Sequence, residues 1–319
     1  MNNIILTCGP SSESSESLST MASVAGGFRL NVAHLTSEQL ETWLQKLLQL
    51  RADTGRNFRI VLDLQGAKVR IGHYPAVNDL PDTIELFYGN CSEEICRIPV
   101  PSESVFAYTD VGDQLFLNDR KVIVRVCKKS DHSLMARVEQ NGPLSSGKGL
   151  NSPDRVFEMA RVMPGDAQAI RQTLHIDNLD YAVSFVSDGR EASLFRPLAG
   201  AKRLIAKIEQ RAAFANLKNI DANFDEFWLC RGDLGAEAGF KDLGFYQRLF
   251  VEAIKTFSHP SLLAGEVLGS MVVSPQPSRA EIVQLYDAMH DGFAGIVLSD
   301  ETACGCQINA VVNFLKSFF

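Results

Sequence analysis

Two apolar runs in this chain end in charged side chains that could bind a metal ion. The run that begins at Leu204 carries Lys207 and Glu209, and the next run, 227–230, is followed by Asp233. Side chains two residues apart on a strand point to the same face, so Lys207 and Glu209 should share one. Asp233 would lie beside Glu209 if the two strands are neighbours. Because Mg²⁺ takes one or two carboxylates plus water and substrate oxygens, the spacing predicts a Mg²⁺ site. The alternative is that these strands merely end in charge.

The composition is that of an ordinary globular protein. The chain has 319 residues, of which 45% are hydrophobic and 22% charged, and exceeds one average domain in length. A net charge of −7 argues against a nucleic-acid partner, because phosphate backbones bind basic surfaces. No apolar run reaches the roughly 18 residues that span a bilayer, and the N-terminus lacks the basic region of a signal peptide. The seven cysteines are odd in number and mostly isolated, which is typical of reduced thiols. We therefore expect a cytoplasmic protein without a membrane partner.

Short apolar runs bounded by turn residues recur along the chain with helical patterns between most of them. The runs that predict strands are 4–8, 28–33, 58–64, 179–185, 203–208, 227–230, 262–268 and 295–298. One helix should begin at a capping box, with Ser278 followed three residues later by Glu281. Eight strands that alternate with helices are typical of an α/β fold of the (β/α)₈ TIM-barrel type.

One interval departs from this alternation of strands and helices. Between about residues 71 and 147 the runs become short and alternating, as in 83–87 and 121–126, with turn residues between them. We predict a small all-β lid domain inserted after strand 3. Its removal leaves about 240 residues, near the roughly 250 of a typical barrel. The predicted domains are a TIM-barrel catalytic domain at 1–71 and 148–319, and the all-β lid domain at 72–147.

Barrel enzymes place their chemistry at the carboxyl ends of the strands. The residues at or just beyond these ends are Asn31, His34, Asp63, Arg70, Ser184, Lys207, Glu209, Arg231, Asp233, Gly265 and Glu266. Cationic and anionic groups together suit a phosphorylated or carboxylated substrate that is held by a metal. A lid next to such a site could exclude water, which phosphoryl transfer requires.

The chain resembles the pyruvate kinase family in an ordered series of segments. The segments are LTCGPS (6–11), RLNVAH (29–34), LDLQGAKVR (62–70), KGLNSP (148–153), SFV (184–186), 207–209, 231–233, SRAE (278–281) and LSDETA (298–303). The resemblance implies a barrel domain with a lid domain, and interconversion of phosphoenolpyruvate and ADP with pyruvate and ATP. The family's C-terminal regulatory domain would follow the barrel, and because the sequence ends at Phe319 we expect that domain to be absent. The oligomeric state stays open.

The resemblance also implies roles for individual residues. Lys207 would stabilise the transferring phosphoryl group, Arg29 would bind the substrate phosphate, and Arg231 would be a third catalytic residue. Glu209 and Asp233 would hold Mg²⁺, with Mn²⁺ as a possible substitute. The remaining assignments are Asn31, His34, Arg70 and Lys148 on the nucleotide side, Asp63 near the monovalent cation and phosphate, and Ser184, Gly232, Gly265 and Glu266 in the substrate pocket.

The chain departs from the family pattern where the family binds K⁺. Ala33 replaces a serine that is a K⁺ ligand, and Ala67 and Lys68 replace a Pro-Glu pair. Family members that work without K⁺ resemble this chain in having lysine at the second of these positions. The Lys68 ammonium could supply the positive charge that K⁺ otherwise brings. We predict independence from K⁺; the alternative is that Lys68 merely faces solvent.

A second departure lies after the predicted strand 262–268. Gly265 stands where the family has a threonine that assists protonation of the enol carbon, and Glu266 replaces an amide. We expect slower enolate protonation with phosphoryl transfer retained. A Mg²⁺-dependent carbon–carbon lyase or aldolase that uses pyruvate enolate is an alternative, with space beside Gly265 and Glu266 as acid or base. A weakly active homologue with a regulatory role is another.

Overall fold

The computed structural model describes residues 3–118, 120–152, 157 and 161–319, in which strands and helices alternate. In chain order the strands are β1 (Asn3–Thr7), β2 (Gly27–Asn31), β3 (Arg59–Asp63), β4 (Thr83–Tyr88), β5 (Arg97–Val100), β6 (Gln114–Leu117), β7 (Val122–Lys129), β8 (Ser133–Gln140), β9 (Leu150–Asn151), β10 (Leu179–Val183), β11 (Leu204–Ile208), β12 (Glu226–Cys230), β13 (Ser261–Ala264) and β14 (Gly295–Leu298). The α-helices are α1 (Ser15–Ala22), α2 (Ser37–Thr54), α3 (Glu103–Tyr108), α4 (Pro164–Thr173), α5 (Glu191–Ala199), α6 (Leu217–Asp221), α7 (Arg231–Ala238), α8 (Phe240–Ile254), α9 (Arg279–His290), α10 (Asp300–Ala303) and α11 (Ile308–Phe318).

Eight parallel strands close into a barrel in the order β1, β14, β13, β12, β11, β10, β3 and β2. The predicted TIM barrel is therefore confirmed. Strands β3, β10, β11, β12, β13 and β14 are buried at every residue, as expected where helices cover a parallel sheet. Apolar side chains of most barrel strands form one packed cluster, which contains Ile5, Val61, Ala182, Ile205, Trp228, Cys230, Leu262, Ala264 and Val297. The barrel is thus a filled core and not a pore.

Helix α9 begins at the capping box that the sequence predicts. The Ser278 hydroxyl accepts the backbone N–H of Glu281 at 3.2 Å, and the Glu281 carboxylate accepts the N–H of Ser278 at 2.7 Å. These reciprocal bonds satisfy two amide donors that the helix itself leaves unpaired.

The predicted strand 262–268 is wrong at its end, because β13 ends at Ala264. Gly265 and Glu266 both have positive φ angles, 84° and 49°, and strand geometry is not available there. The chain leaves the barrel wall at this point. Residues 265 and 266 therefore form a turn at the carboxyl end of β13.

Two other predicted strands, 28–33 and 179–185, extend two residues past the observed carboxyl ends. Strand β2 ends at Asn31, whose side-chain Oδ1 accepts the N–H of Ala33 at 3.2 Å and begins a short 3₁₀ turn over Val32–His34. Strand β10 ends at Val183, two residues before Phe185, which has a φ of 58°. Local turns with side-chain caps thus end the strands earlier than hydrophobicity predicts.

A second sheet is inserted between β3 and β10, with the strand order β5, β4, β8, β7, β6 and β9. Its strand pairs are antiparallel except for β4 with β5. The predicted barrel with a β-sheet domain inserted after strand 3 is confirmed, and the short helix α3 lies in the same segment. This segment has its own buried core, built from residues such as Ile84, Leu86, Val124 and Leu134.

The contacts divide the chain into two compact units. The barrel unit comprises Met1–Gly66, Arg161–Arg231 and Phe245–Phe319, and the lid unit comprises Ala67–Ala160 and Gly232–Gly244. The domain boundaries predicted from sequence, at 71/72 and 147/148, stay a prediction. Within the described residues, no helix has the length and apolarity that a membrane span requires.

Candidate active site

A buried carboxylate in the barrel unit pairs with two cations. Asp63 is the last residue of β3 and its side chain is 2% exposed. Its Oδ2 accepts from Arg29 Nη2 at 2.6 Å and from Arg29 Nε at 2.7 Å. Its Oδ1 lies 2.9 Å from the ammonium of Lys207 on β11. Residues from three strands of the barrel therefore meet at their carboxyl ends through one aspartate.

The Lys207 ammonium has two further oxygen partners. Glu209 Oε1 lies 2.8 Å away and the hydroxyl of Ser184 lies 2.9 Å away. An ammonium has three donors, and with Asp63 these contacts supply three acceptors. The predicted common face of Lys207 and Glu209 is present, although β11 itself ends between them at Ile208. Asp63, Glu209 and Ser184 together therefore fix the position of the Lys207 ammonium.

These groups keep their charges. Burial alone would lower the pKa of Lys207, but Asp63 and Glu209 outweigh burial and raise it above its ordinary value. Burial opposes the Asp63 charge too, yet Lys207 and Arg29 lower the pKa of this carboxyl. The pKa of Arg29 is raised, because Asp63 more than offsets the cost of burial. The cluster is thus ionic at neutral pH.

Glu209 follows β11 directly and is 1% exposed. Its Oε2 accepts the backbone N–H of Phe185 at 2.9 Å, while Oε1 contacts Lys207. Carboxylate oxygens are the ligand type that Mg²⁺ prefers, so the donor chemistry at this position fits the metal. Within the part of the chain that the structure describes, no three His, Cys, Asp or Glu side chains are grouped for metal binding. A site with two protein carboxylates is compatible with Mg²⁺, which retains several waters.

The loop after β3 packs closely against Ser184. The Ser184 hydroxyl donates to the carbonyl of Leu64 at 2.7 Å. Gly66 has a φ of 65°, and a Cβ there would lie 2.9 Å from the Ser184 Cβ. A glycine is therefore needed for both the turn and the close approach. This contact helps to hold Ser184 against Lys207.

Sequence reasoning missed Asp166, which anchors the same loop. This aspartate lies in the first turn of α4 and is fully buried. Its two carboxylate oxygens accept the backbone N–H groups of Gln65 at 2.8 Å and Gly66 at 3.0 Å. Burial raises the pKa of Asp166, and the two N–H donors oppose that effect. The only signal in the sequence is an acidic residue after Pro164, which an ordinary helix start explains equally well.

Arg231 organises the turn after β13. Its guanidinium donates to the carbonyl of Gly265 at 2.9 and 2.7 Å, and to the carbonyl of Glu266 at 2.9 Å. Burial lowers the pKa of Arg231, and the carboxylate of Glu266 counteracts this effect. The Glu266 side chain itself is exposed. Arg231 therefore holds the backbone of the turn that carries Gly265 and Glu266, the two residues predicted for the substrate pocket.

The same turn has a second anchor in Glu301. This buried carboxylate accepts the N–H of Leu268 at 3.0 Å and the N–H of Ser299 at 2.7 Å. The turn after β13 is thus tied to Glu301 of α10 as well as to Arg231. The positive φ angles of Gly265 and Glu266 thus occur in a turn that the side chains of Arg231 and Glu301 both hold.

Two residues predicted for the nucleotide side follow β2. Asn31 ends the strand and caps the short turn through its bond to Ala33. His34 is exposed at the end of that turn. Both lie in the barrel unit, at the same ends of the strands as Arg29.

The remaining predicted residues belong to the lid unit. Arg70 and Gly149 form an antiparallel bridge, which places the segment of Lys148 next to that of Arg70. The Lys68 ammonium lies 2.5 Å from Asp233 Oδ1, and its side chain is 8% exposed, so Lys68 does not face solvent. Gly232 is exposed in the first turn of α7. The two predicted metal carboxylates, Glu209 and Asp233, thus fall in different units.

Comparison with known proteins identifies relatives along nearly the whole chain. A family model described as the barrel domain of pyruvate kinase matches residues 1–311. A pyruvate kinase of Agrobacterium vitis is 33% identical over 311 residues, which are 95% of this chain and 65% of that protein. One from Methanocaldococcus jannaschii is 27% identical over 310 residues, with coverage of 95% and 65%. The chain thus spans slightly less than two thirds of these relatives.

Solved structures show the same fold. A pyruvate kinase from Pyrobaculum aerophilum superposes with a TM-score of 0.88 at 24% identity, over 99% of this chain and 72% of that one. One from Cryptosporidium parvum gives a TM-score of 0.87 at 24% identity, over 99% and 68%. At these identities the likeness concerns the fold alone. Because the family model matches residues 1–311 of 319, the chain belongs to the pyruvate kinase family.

Proposed function

We propose that this chain is a Mg²⁺-dependent phosphotransferase of the pyruvate kinase type, which interconverts phosphoenolpyruvate and ADP with pyruvate and ATP. The observation that carries the proposal is the Lys207 ammonium, buried and held by Asp63, Glu209 and Ser184. Phosphoryl transfer depends mostly on positioning and on stabilisation of charge on the phosphoryl oxygens. A fixed cation in a water-poor site is worth more than one in solvent. Membership in the family supports the same reaction.

In this proposal Lys207 stabilises the transferring phosphoryl group and Arg29 binds the phosphate of the substrate. Asp63 orients both cations, because one of its oxygens faces Arg29 and the other faces Lys207. Asn31 and His34 from the barrel unit, and Arg70 and Lys148 from the lid unit, contribute to binding the nucleotide. Ser184, Gly232, Gly265 and Glu266 belong to the substrate pocket, and Arg231 positions the last two.

Glu209 and Asp233 are the proposed protein ligands of Mg²⁺, for which Mn²⁺ can substitute. Supporting this assignment, β11 and β12 are parallel neighbours, and each residue follows the end of its strand. Bound Mg²⁺ would neutralise charge that develops on the phosphoryl oxygens. Lys68 replaces K⁺ as the source of a monovalent positive charge, so that the reaction does not require K⁺. Its ammonium is nearly buried, which is consistent with this role.

A second candidate is a Mg²⁺-dependent lyase or aldolase that uses pyruvate enolate. The observation in its favour is the backbone at Gly265, whose φ of 84° suits glycine and strains a β-branched residue. The chain therefore has no hydroxyl where the family's threonine assists protonation of the enol carbon. In this candidate reaction, an electrophile other than a proton would react at that carbon.

One experiment distinguishes three possibilities: the proposed kinase, the enolate lyase or aldolase, and a site without activity. Wild-type protein is incubated in K⁺-free D₂O with Mg²⁺ and either phosphoenolpyruvate plus ADP or pyruvate alone. ³¹P NMR follows ATP in the first mixture, and ¹H NMR follows deuterium at pyruvate C3 in the second. ATP formation that requires Mg²⁺ supports the proposed kinase. Deuterium exchange into added pyruvate without any ATP from phosphoenolpyruvate would replace it with enolate chemistry. Neither signal would contradict both.

A further inference from the structure

The lid unit holds Lys68 in a fixed position next to Asp233. The segment of Lys68 is paired with the segment of Gly149, because Leu150 donates to the carbonyl of Val69 at 2.9 Å. The next pair in the register, Ile71 with Lys148, makes the same type of bond at 2.9 Å. A side chain at position 149 would overlap the Lys68 Cε, so glycine is what leaves room for the lysine.

The lysine ends on the carboxylate of Asp233. Its Nζ lies 2.5 Å from Asp233 Oδ1, a short contact for a charge-assisted hydrogen bond. The Lys68 side chain is 8% exposed, whereas that of Asp233 is 29% exposed. The ammonium thus approaches from the interior and the carboxylate remains partly open to solvent. Because the Lys68 side chain is nearly buried, solvent screens the electrostatic attraction between the two charges only in part.

We propose that Lys68 is an internal competitor of the divalent cation at Asp233. The inference rests on the proposed function, which assigns Asp233 to Mg²⁺. An ammonium and a divalent cation on the same carboxylate oxygen repel each other at short range. Binding of the metal therefore displaces Lys68 from Oδ1, and the ion pair lowers the affinity of the site for metal. While no metal is bound, the same contact neutralises the negative charge of the Asp233 carboxylate.

The first test measures Mn²⁺ binding without nucleotide or substrate, from the electron paramagnetic resonance signal of free Mn²⁺. Lys68→Met removes the competing charge, and we expect its Kd for Mn²⁺ to fall about tenfold, the size of one broken ion pair. Lys128→Met is the matched control, because Lys128 is an exposed lysine on β7 of the same unit. It should bind Mn²⁺ as the wild type does. Asp233→Asn should raise the Kd at least tenfold.

The second test uses the wild type itself and is independent of how Lys68→Met folds. Lysines are labelled sparsely with acetic anhydride, and acetylation of Lys68 is measured by mass spectrometry with and without Mg²⁺. We expect the reactivity of Lys68 to rise several-fold with Mg²⁺. In Asp233→Asn it should be high already and should not respond to the metal.

The outcomes distinguish a failure of the competition by Lys68 from a failure of the proposed Mg²⁺-binding role of Asp233. A wild type that binds no Mn²⁺, or an Asp233→Asn variant with wild-type affinity, contradicts the role of Asp233 in the proposed function. Metal binding that depends on Asp233, together with unchanged affinity in Lys68→Met or unchanged Lys68 labelling on addition of Mg²⁺, overturns the inference alone.

Discussion

At the scale of single residues, Asp63 is the group on which the site depends. It neutralises Arg29 and Lys207 at once, and all three side chains are nearly buried. Removal of one partner of a buried pair leaves an uncompensated charge and typically costs about 3–5 kcal/mol. The same aspartate orients the lysine that the proposed reaction needs. Stability and function are therefore coupled at this residue.

We predict that Asp63→Asn lowers the free energy of unfolding at pH 7 by about 3 kcal/mol, because two buried cations lose their counter-ion. Urea denaturation measures the change. Glu252→Gln is the control, because the ion pairs of Glu252 with Arg248 and Lys255 are exposed and their loss should change little.

The same variant gives a prediction about pH. The folded pKa of Asp63 is lower than normal, so the stability that its charge contributes is present above about pH 4 and is lost as pH falls further. The stability gap between wild type and Asp63→Asn should therefore shrink below about pH 4. Urea titrations at several pH values between 7 and 3 measure it. A gap that stays constant over this range contradicts the ionic description of the cluster.

At the scale of elements, the loop after β3 is held by a helix. Asp166 of α4 accepts the backbone N–H groups of Gln65 and Gly66, and Gly66 packs against Ser184. The helix thus positions Ser184, which in turn contacts Lys207. Asp166 is a positioning residue, since its known contacts are with backbone and not with the reacting groups.

We predict that Asp166→Asn leaves one of these N–H groups without an acceptor and shifts the loop. We expect kcat to fall about 10- to 100-fold, as a displacement of about 1 Å can do, with a smaller change in the KM for phosphoenolpyruvate. Steady-state kinetics measures both constants. Glu16→Gln, which removes an exposed acid from the first turn of α1, is the control. Full activity in Asp166→Asn, or a change in KM alone, contradicts the positioning role.

The turn after β13 is a second element of the candidate site, because it carries Gly265 and Glu266 of the proposed substrate pocket. Gly265 has a φ of 84°, and Arg231 and Glu301 hold the turn in this shape. Gly265→Thr should therefore destabilise the protein by about 1–3 kcal/mol and should not accelerate enolate protonation. Gly265→Ala is the matched control, because it places a side chain at the same positive φ without a hydroxyl. Thermal unfolding and deuterium incorporation into pyruvate measure the two effects. Faster incorporation in the threonine variant alone would show that the turn accommodates a proton donor.

The ends of elements were the least predictable part of the fold. Apolar runs located the eight barrel strands, because buried parallel strands are continuously hydrophobic. They did not locate the ends of β2, β10 and β13, where Asn31, Phe185 and Gly265 turn the chain by local backbone geometry. Hydrophobicity carries no information about φ, so these three strands were predicted too long.

At the scale of the whole molecule, barrel closure explains why distant residues share a site. Arg29, Asp63 and Lys207 lie on β2, β3 and β11, and a closed parallel barrel places the carboxyl ends of all strands on one face. The sequence therefore predicted most of the cluster in the barrel unit from strand ends alone. It could not predict Asp166, because its partners are about 100 residues away along the chain. It could not predict the Lys68–Asp233 pair either, because the two residues are 165 positions apart along the chain.

The opposite ends of the barrel strands hold a second buried ionic network that sequence patterns did not indicate. Arg59 at the start of β3 pairs with Glu226 at 2.6 Å and with Asp180 at 3.4 Å. Charge at the amino-terminal face of a barrel usually serves stability. We predict that Arg59→Met destabilises the protein by about 3 kcal/mol or more and leaves kcat within twofold of wild type. Urea denaturation and steady-state kinetics test this, and a large loss of kcat in the folded variant contradicts it.

In the proposed reaction, the charged Lys207, fixed by Asp63 and Glu209, stabilises the transferring phosphoryl group. The most direct test is a single-turnover quench-flow measurement of phosphoryl transfer from phosphoenolpyruvate to ADP, with Mg²⁺ and without K⁺. Lys207→Met should lower the rate constant about 10³-fold, the typical loss when one preorganised electrostatic partner is removed. Lys316→Met, at an exposed lysine of α11, should transfer at the wild-type rate. Transfer by Lys207→Met within tenfold of wild type would contradict the claim.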